Sequence, residues 1–101
     1  MVNKLPKINC CVSNLLNKNQ FLIRVSVRGV EYLVFQSYSS EIAIYNTDTQ
    51  KLFINEKYIN YSKTTSKHLY YFINTYTRHT AHDLKELRSL IKDKTITTYN
   101  R

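Results

Sequence analysis

Glycine and proline are almost missing from this chain, which holds one of each among 101 residues. Their scarcity excludes collagen-like repeats, flexible linkers and glycine-rich phosphate loops. Tryptophan is absent, and the two cysteines, Cys10 and Cys11, are adjacent, so they cannot form the spaced pairs of a disulfide scaffold. We therefore interpret them as buried or idle thiols and expect a reducing compartment.

Long hydrophobic runs are also absent. No stretch approaches the roughly 18 consecutive apolar residues that a membrane span needs. Near the N-terminus, Pro6, Asn9 and Asn14 interrupt anything that resembles the apolar region of a signal peptide. We expect a cytoplasmic protein with no membrane partner.

Acidic residues are scarce, with 7 Asp and Glu against 15 Lys and Arg, and the formal net charge is +8. Two blocks without any acid, residues 1–30 and 57–82, flank the acidic block 31–56. If folding joins the basic blocks on one face, that face attracts polyanions such as nucleic acids. Lysines scattered over the surface for solubility would give the same composition.

Hydrophobic alternation begins at Phe21 and predicts an antiparallel meander of about four strands over residues 21–61. Gly29 predicts a tight hairpin between the first two strands. The first strand is expected to bury its odd-numbered apolar side chains, Phe21, Ile23, Val25 and Val27, with Arg24 and Arg28 on the outside. Residues 58–61 either extend the fourth strand or form a short fifth one. Residues 1–19 show no clear period and predict irregular chain or a short helix.

The spacing becomes helical after the meander. Leu69, Phe72, Ile73 and Tyr76 predict a helix over 66–77, and the pattern over 81–93 predicts a second, although one bent helix over 66–93 fits equally well. Residues 95–99 are β-prone and would add an edge strand. The predicted fold is a single α+β domain over 1–101, with the helices on one face of the sheet.

Hydroxyl and basic side chains are concentrated where the first helix is predicted to begin. Free N–H groups at a helix start favour phosphate, lysine and hydroxyl groups contact phosphates, and tyrosines stack on exposed bases. The candidate binding residues are Lys57, Tyr61, Lys63, Thr64, Thr65, Ser66, Lys67, His68, Tyr71 and Arg78, with Arg24 and Arg28 as a second patch. Ordinary helix capping with solvated lysines fits the same segment, and the tyrosines also suit a protein–protein surface.

Catalytic motifs are absent. The chain has no Walker loop, no GxSxG motif and no dinucleotide-binding glycine pattern. His79 and His82 would share a helix face, but no third metal ligand accompanies them. A small nuclease that uses His68 with Lys63 or Lys67 is supported by residue type alone. We predict a protein that is not an enzyme and has no catalytic residues, metal or cofactor.

Three successive motifs lie within residues 37–73. They comprise Ser37, Tyr38, Ile42, Ala43 and Tyr45, then Leu52, Tyr58, Tyr61 and Ser62, then Thr64, Thr65, Ser66, Lys67, His68 and Phe72. This middle third of the chain resembles a group of small bacteriophage proteins. The resemblance implies a phage origin and an accessory role, such as the binding of host defence machinery by anti-CRISPR proteins. The N-terminal basic block and the C-terminal helix lie outside it.

Taken together, these features predict a small phage accessory protein that acts in the host cytoplasm by binding. Its partner would be a nucleic acid or, more narrowly, a host nucleoprotein complex that it inhibits as an anti-CRISPR protein does. The alternatives are a sequence-tolerant DNA- or RNA-binding protein without a protein target and, third, a small nuclease. All of them require the basic side chains near the first helix to form one surface. The sequence leaves the target and the oligomeric state open.

Overall fold

A computed structural model describes residues 8–15 and 18–100. Within them the chain forms a six-stranded sheet and two α-helices. The strands are β1 (Ile8–Asn14), β2 (Gln20–Val27), β3 (Val30–Ser37), β4 (Ser40–Asn46), β5 (Lys51–Asn55) and β6 (Thr97–Tyr99), and the helices are α1 (Lys63–Tyr76) and α2 (Leu84–Lys92). This confirms the α+β class. None of the helices in the described residues is long and apolar enough to cross a membrane.

The strands lie in the sheet in chain order, from β1 to β6. Neighbouring strands are antiparallel except β5 and β6, which are parallel. The four antiparallel strands predicted over 21–61 are β2 to β5, and the edge strand predicted over 95–99 is β6. The sheet as a whole has more strands than predicted, because β1 joins it, and it is not purely antiparallel. The parallel pairing arises because both helices intervene between β5 and β6, and a connection of this length can return the chain in the same direction.

Strand β1 lies where the sequence predicts irregular chain or a short helix. Its backbone pairs with β2 over seven positions, from Ile8 opposite Val27 to Asn14 opposite Phe21. The asparagines of this segment favour irregular structure locally, but pairing with a neighbouring strand satisfies the backbone and outweighs that preference.

The β2–β3 hairpin has the two-residue turn that the sequence predicts. Arg28 and Gly29 have φ angles of 52° and 85°, so both central residues are in the left-handed region. This is the geometry that matches the twist of the flanking strands, and glycine adopts it without strain.

The two faces of β2 are reversed relative to the prediction. Gln20 and Leu22 are almost completely buried, whereas Phe21, Ile23 and Val25 are only half-buried. The side chains of β2 alternate, and the helices cover the face to which Leu22 belongs. Alternation alone does not tell which apolar face meets the helices, because both faces of this strand carry apolar residues.

The core lies between the sheet and the helices. The strands contribute Leu22, Leu33, Phe35, Ile42, Ala43, Tyr45, Leu52 and Ile54, and the helical half contributes Leu69, Phe72, Ile73, Ala81, Leu87 and Ile96. The rings of Phe35 and Phe72 stack with their centroids 5.9 Å apart and join β3 to α1. The predicted stripe of α1 is thus the one that the sheet buries.

The helices begin at positions other than the predicted ones. Ser62 caps α1, since its hydroxyl accepts from the Thr65 amide at 3.1 Å, and the helix starts three residues earlier than predicted. Asp83 caps α2 by accepting from the Glu86 amide at 2.8 Å. The helices are separate. Residues 58–61 neither extend the sheet nor form a strand of their own, and a 3-10 turn (Glu56–Tyr58) follows β5.

The connection between the helices depends on one side chain. Asn74 donates from Nδ2 to the Ala81 carbonyl at 2.8 Å and accepts at Oδ1 from the Ala81 amide at 2.9 Å. Ala81 is fully buried, so removal of this partner leaves two backbone groups unpaired.

We expect Asn74→Ala to lower the free energy of unfolding by about 1–3 kcal/mol, because a buried backbone donor and acceptor lose their partner. Urea denaturation followed by circular dichroism measures the change. Asn74→Asp keeps the acceptor and loses the donor, so it should fall between the wild type and Asn74→Ala. A fully stable Asn74→Ala variant would contradict this role.

Candidate functional site

A pocket of about 480 Å³ opens where the β3–β4 hairpin meets the start of α1. We call it the tyrosine pocket. It is lined by Ser37, Tyr38, Ser40, Ile42, Tyr58, Tyr61, Ser62, Thr64 and Thr65. Every lining residue except Ile42 carries a hydroxyl group. Its volume falls within the range of small-molecule and cofactor sites. Its wall offers hydrogen-bond donors and acceptors and no charged side chain.

Three segments meet at this pocket because of the order of the sheet. The β3–β4 hairpin and the end of β5 lie at the same end of the strands, because β3, β4 and β5 are consecutive antiparallel neighbours. The Tyr58 hydroxyl donates to Ser40 Oγ at 3.0 Å and ties the 3-10 turn to that hairpin. Asn55 Nδ2 adds a bond to the Glu41 carbonyl at 3.1 Å.

Two tyrosines stand out at the rim. Tyr38 and Tyr61 are each 64% exposed, an unusual exposure for rings of this size. The ring of Tyr61 meets that of Tyr58 edge to face, with the centroids 5.1 Å apart. Tyr38 has a φ of 55°, so the hairpin turn holds its backbone in the left-handed region. Both rings present apolar faces to solvent beside a hydroxyl-lined hollow.

Three lysines lie in the chain segments that adjoin the pocket. Lys63 is the first residue of α1, and Lys67 lies one turn later on the same face. Lys57 Nζ lies 5.9 Å from the centroid of the Tyr58 ring. Within the described ranges, no carboxylate comes within 4 Å of these three ammonium groups. Their charge is therefore directed to solvent and to whatever binds there.

The start of α1 adds to this positive potential. Its first amides point out of the helix end, and the side chain of Ser62 satisfies the one at Thr65. The partial positive charge of a helix start favours anions, although its effect is confined to the first turn. Lys63 and Thr64 stand in that turn and are exposed.

Several predicted binding residues are not accessible from this opening. His68 is 4% exposed, and its Nδ1 donates to the Thr64 carbonyl at 2.8 Å. Thr65 is 6% exposed and reaches the pocket only as part of its wall. Ser66 and Tyr71 are half-buried farther along α1, where the Tyr71 ring contacts that of Tyr76. These four side chains therefore pack within the domain and are not open to a ligand at the pocket.

The arginines lie elsewhere. Arg28 is part of the β2–β3 turn, which lies at the ends of the strands opposite to the β3–β4 hairpin. Arg78 follows the C-terminal end of α1. Arg24 lies within β2, where its guanidinium group is 3.9 Å from the Glu31 carboxylate. The predicted single basic surface therefore does not include the arginines, and Lys57, Lys63 and Lys67 are the predicted basic residues in the segments that adjoin the pocket.

Sequence reasoning missed the contribution of the β3–β4 hairpin, which supplies Ser37, Tyr38 and Ser40. These residues join the pocket through contacts between distant segments, since β4 pairs with β5 and the Tyr58 hydroxyl then reaches Ser40 Oγ. No local feature of the sequence signals such a contact.

Titration and metal chemistry contribute little here. The described residues contain no cluster of three or more metal-ligating side chains. Outside the pocket, burial raises the pKa of the Tyr70 hydroxyl, Asp83 raises it further and Arg88 opposes the shift. The pKa of the Asp93 carboxyl is lowered by hydrogen bonds from Thr95 beyond the end of α2. Neither group faces the pocket.

Fold and site define a small α+β domain whose sheet, covered by helices on one face, has a hydroxyl-lined pocket at one edge. The chain belongs to DUF8033, a family of unknown function, whose model matches residues 5–89. That span holds strands β1 to β5, all of α1 and most of α2, and thus the whole tyrosine pocket. Searches of curated proteins and of solved structures found no match.

Proposed function

We propose that the protein binds single-stranded nucleic acid, with little sequence preference, at the tyrosine pocket. The observation that carries this proposal is the pair of exposed tyrosine rings at the rim of a pocket that the start of α1 helps to line. Three lysines without acidic partners in the described residues, Lys57, Lys63 and Lys67, stand in the adjoining 3-10 turn and the first turns of α1. Sequence-tolerant binding to single strands combines these two elements, since bases stack on aromatic rings and basic side chains follow the backbone.

The tyrosine, lysine and hydroxyl groups at this site would each contact a different part of the bound strand. Tyr38 and Tyr61 would each receive the face of a base. Lys63 and Lys67 would neutralise neighbouring phosphates, and the exposed Thr64 hydroxyl would donate to a phosphate oxygen. The pocket has room for an unstacked base. A rigid double helix would contact fewer of these groups, because its bases are stacked and paired and cannot enter a pocket at the side of a small domain.

This proposal makes the protein a binder and not an enzyme. The nuclease alternative depends on His68, whose side chain is 4% exposed and hydrogen-bonded within its own helix. A general acid or base must reach the proton that it transfers, and a buried imidazole does not. In every binding experiment, the oligonucleotide should be recovered at its original length.

The counter-defence role is a narrower form of the same proposal. It rests on the resemblance of residues 37–73 to small phage proteins, and the bound strand would then be one that a host defence complex holds or exposes. A host complex that is inhibited equally by a variant without oligonucleotide affinity would indicate a protein target instead.

The variant Lys63→Glu/Lys67→Glu tests the binding site. Each lysine that neutralises a phosphate of a single strand contributes about 0.7 to the slope of log affinity against log salt, so the loss of two should lower the slope by about 1.4. Fluorescence anisotropy with a labelled oligothymidylate, over a series of KCl concentrations, measures both affinity and slope. Glutamate near a helix start is favourable, so the variant should keep its fold.

The matched control is Lys85→Glu/Lys92→Glu, which changes the net charge equally on α2. One substitution lies in the first turn and one in the last, so their effects on the helix dipole oppose each other. The control should keep the wild-type slope. Equal losses in both variants would show that only net charge matters, and a wild-type protein without affinity for the oligonucleotide would refute the proposal.

A further inference from the structure

The face of the sheet opposite the helices carries a continuous apolar row. Val12, Ile23, Val34, Ile44 and Phe53 stand directly opposite one another on five adjacent strands. Val12 is 60% exposed, and the other four are half-buried. Among the described residues, none of these five belongs to the partly buried side chains that contact the core. The row therefore lies on a second apolar surface, which we call the open face.

The open face is broad as well as apolar. Phe21, Val25, Val27, Val30 and Tyr32 extend it on both sides of the row along β2 and β3. With strands about 4.8 Å apart and about 3.3 Å per residue, the five strands span about 600 Å² of sheet, counting apolar and polar positions together. Two such faces together exceed the roughly 1,000 Å² expected of a specific interface.

The charged side chains around the open face restrict which partner surface can bind it. The central row is uncharged, although the chain carries a net charge of +8. Lys51 lies beyond the row toward one end of the strands, opposite Asn46, and Glu41 lies beyond it toward the other end, opposite Gln36. The opposite charges thus stand on neighbouring strands, on the two sides of the row.

We infer that the open face binds the open face of a second copy of this chain, with a two-fold axis along the apolar row. Rotation about that axis places the apolar row of one copy against the apolar row of the other. The strands of the second copy then run in the opposite direction to those of the first. Lys51 of each copy then faces the region of Glu41 in the other. The contact is the same patch on both subunits, as a closed symmetric dimer requires, and the two sheets form a sandwich.

Analytical ultracentrifugation of the full chain tests this inference. We expect a mass of twice 12.0 kDa at micromolar concentrations, and dimerisation that strengthens as salt rises, because salt screens the repulsion between two strongly basic chains. The opposite salt dependence is expected of nucleic-acid binding. Failure of one proposal is therefore distinguishable from failure of the other. A wild-type chain that stays at 12.0 kDa at every concentration would overturn the dimer.

Val34→Glu places a charge at the centre of the open face and should abolish the dimer. Ser13→Glu is the matched control, since Ser13 is exposed on a strand and belongs to the opposite face. It should leave the dimer intact. If Val34→Glu fails to fold, Val34→Thr keeps the strand preference and shape and should weaken the dimer about tenfold. A folded Val34 variant that dimerises like the wild type would refute the assignment.

Charge substitutions test the orientation of the two subunits in the proposed dimer. Lys51→Glu sets two pairs of like charges against each other and should weaken dimerisation about tenfold. Lys51→Glu/Glu41→Lys exchanges the charges and should restore at least part of that loss. Because Glu41 also accepts from the Tyr99 hydroxyl at 2.8 Å, circular dichroism first establishes that the double variant is folded. A folded double variant that dimerises more weakly than Lys51→Glu alone would rule out the axis along the row.

Discussion

Phe72→Ala is expected to lower the free energy of unfolding by about 3–5 kcal/mol. Phe72 is fully buried, its ring stacks on that of Phe35, and a second ring, that of Tyr76, lies 6.1 Å away between centroids. Truncation removes the ring contact between α1 and β3 and leaves a cavity that the packed core closes only in part. A domain of this size has about 5–15 kcal/mol of stability, so the loss is a large part of it.

Urea denaturation of Phe72→Ala beside Thr75→Ala measures this effect. Thr75 lies three residues later on the same helix but is exposed, so its substitution should change stability by less than about 0.5 kcal/mol. A loss below about 1 kcal/mol for Phe72→Ala would mean that α1 is not held to the sheet by this ring pair.

Tyr61→Ala is expected to weaken the binding of an oligothymidylate about tenfold or more. The reason is that stacking of one base on an aromatic ring contributes about 1–3 kcal/mol, and the Tyr61 ring is 64% exposed at the pocket rim. The slope of affinity against salt should stay unchanged, since no charge is removed. This combination separates the tyrosine from the lysines, whose loss lowers the slope.

Tyr61→Phe and Tyr61→Leu complete the experiment. Phenylalanine keeps the ring face and should retain most of the affinity, whereas leucine keeps apolar bulk without the ring and should behave like alanine. If leucine binds as well as tyrosine, the side chain contributes apolar contact and not stacking. If Tyr61→Ala binds like the wild type, the base lies elsewhere and the proposed site is wrong.

The two surfaces proposed here lie on different parts of the molecule. The tyrosine pocket lies at one edge of the sheet, beside the start of α1, and the open face is the side of the sheet that the helices leave uncovered. A dimer through the open face would therefore leave both pockets free. Two pockets on one particle raise the effective concentration for a strand that is long enough to reach both.

Elements with strong local signals were predictable. The spacing of Leu69, Phe72 and Ile73 indicated the buried side of α1, because helical periodicity is a property of neighbouring residues. Gly29 indicated the first hairpin for the same reason, since its turn demands a backbone conformation that few other residues adopt. The start of α1 was predicted three residues too late, because several consecutive hydroxyl residues can satisfy the capping requirement that Ser62 meets.

The strands at the two margins of the sheet and the membership of the site were harder to predict. β1 owes its conformation to seven pairings with β2, and its own sequence favours irregular chain. In the pocket, Ser40 and Tyr58 are 18 positions apart in the chain, and their hydrogen bond exists only because β4 and β5 are antiparallel neighbours. The arginines were grouped with the lysines by composition, although folding places Arg28 and Lys63 at opposite edges.

By itself, the sequence determined the α+β class, the hairpin at Gly29, the apolar stripe of α1 and the concentration of lysine, tyrosine and hydroxyl residues before residue 68. These follow from spacing and residue type, which act over a few neighbouring positions. Only the tertiary structure decided which face of β2 meets the helices, that residues 8–14 form a strand, and that Ser37, Tyr38 and Ser40 complete the pocket. Those outcomes depend on contacts between distant segments, whose energies emerge only when the whole sheet and its helices assemble.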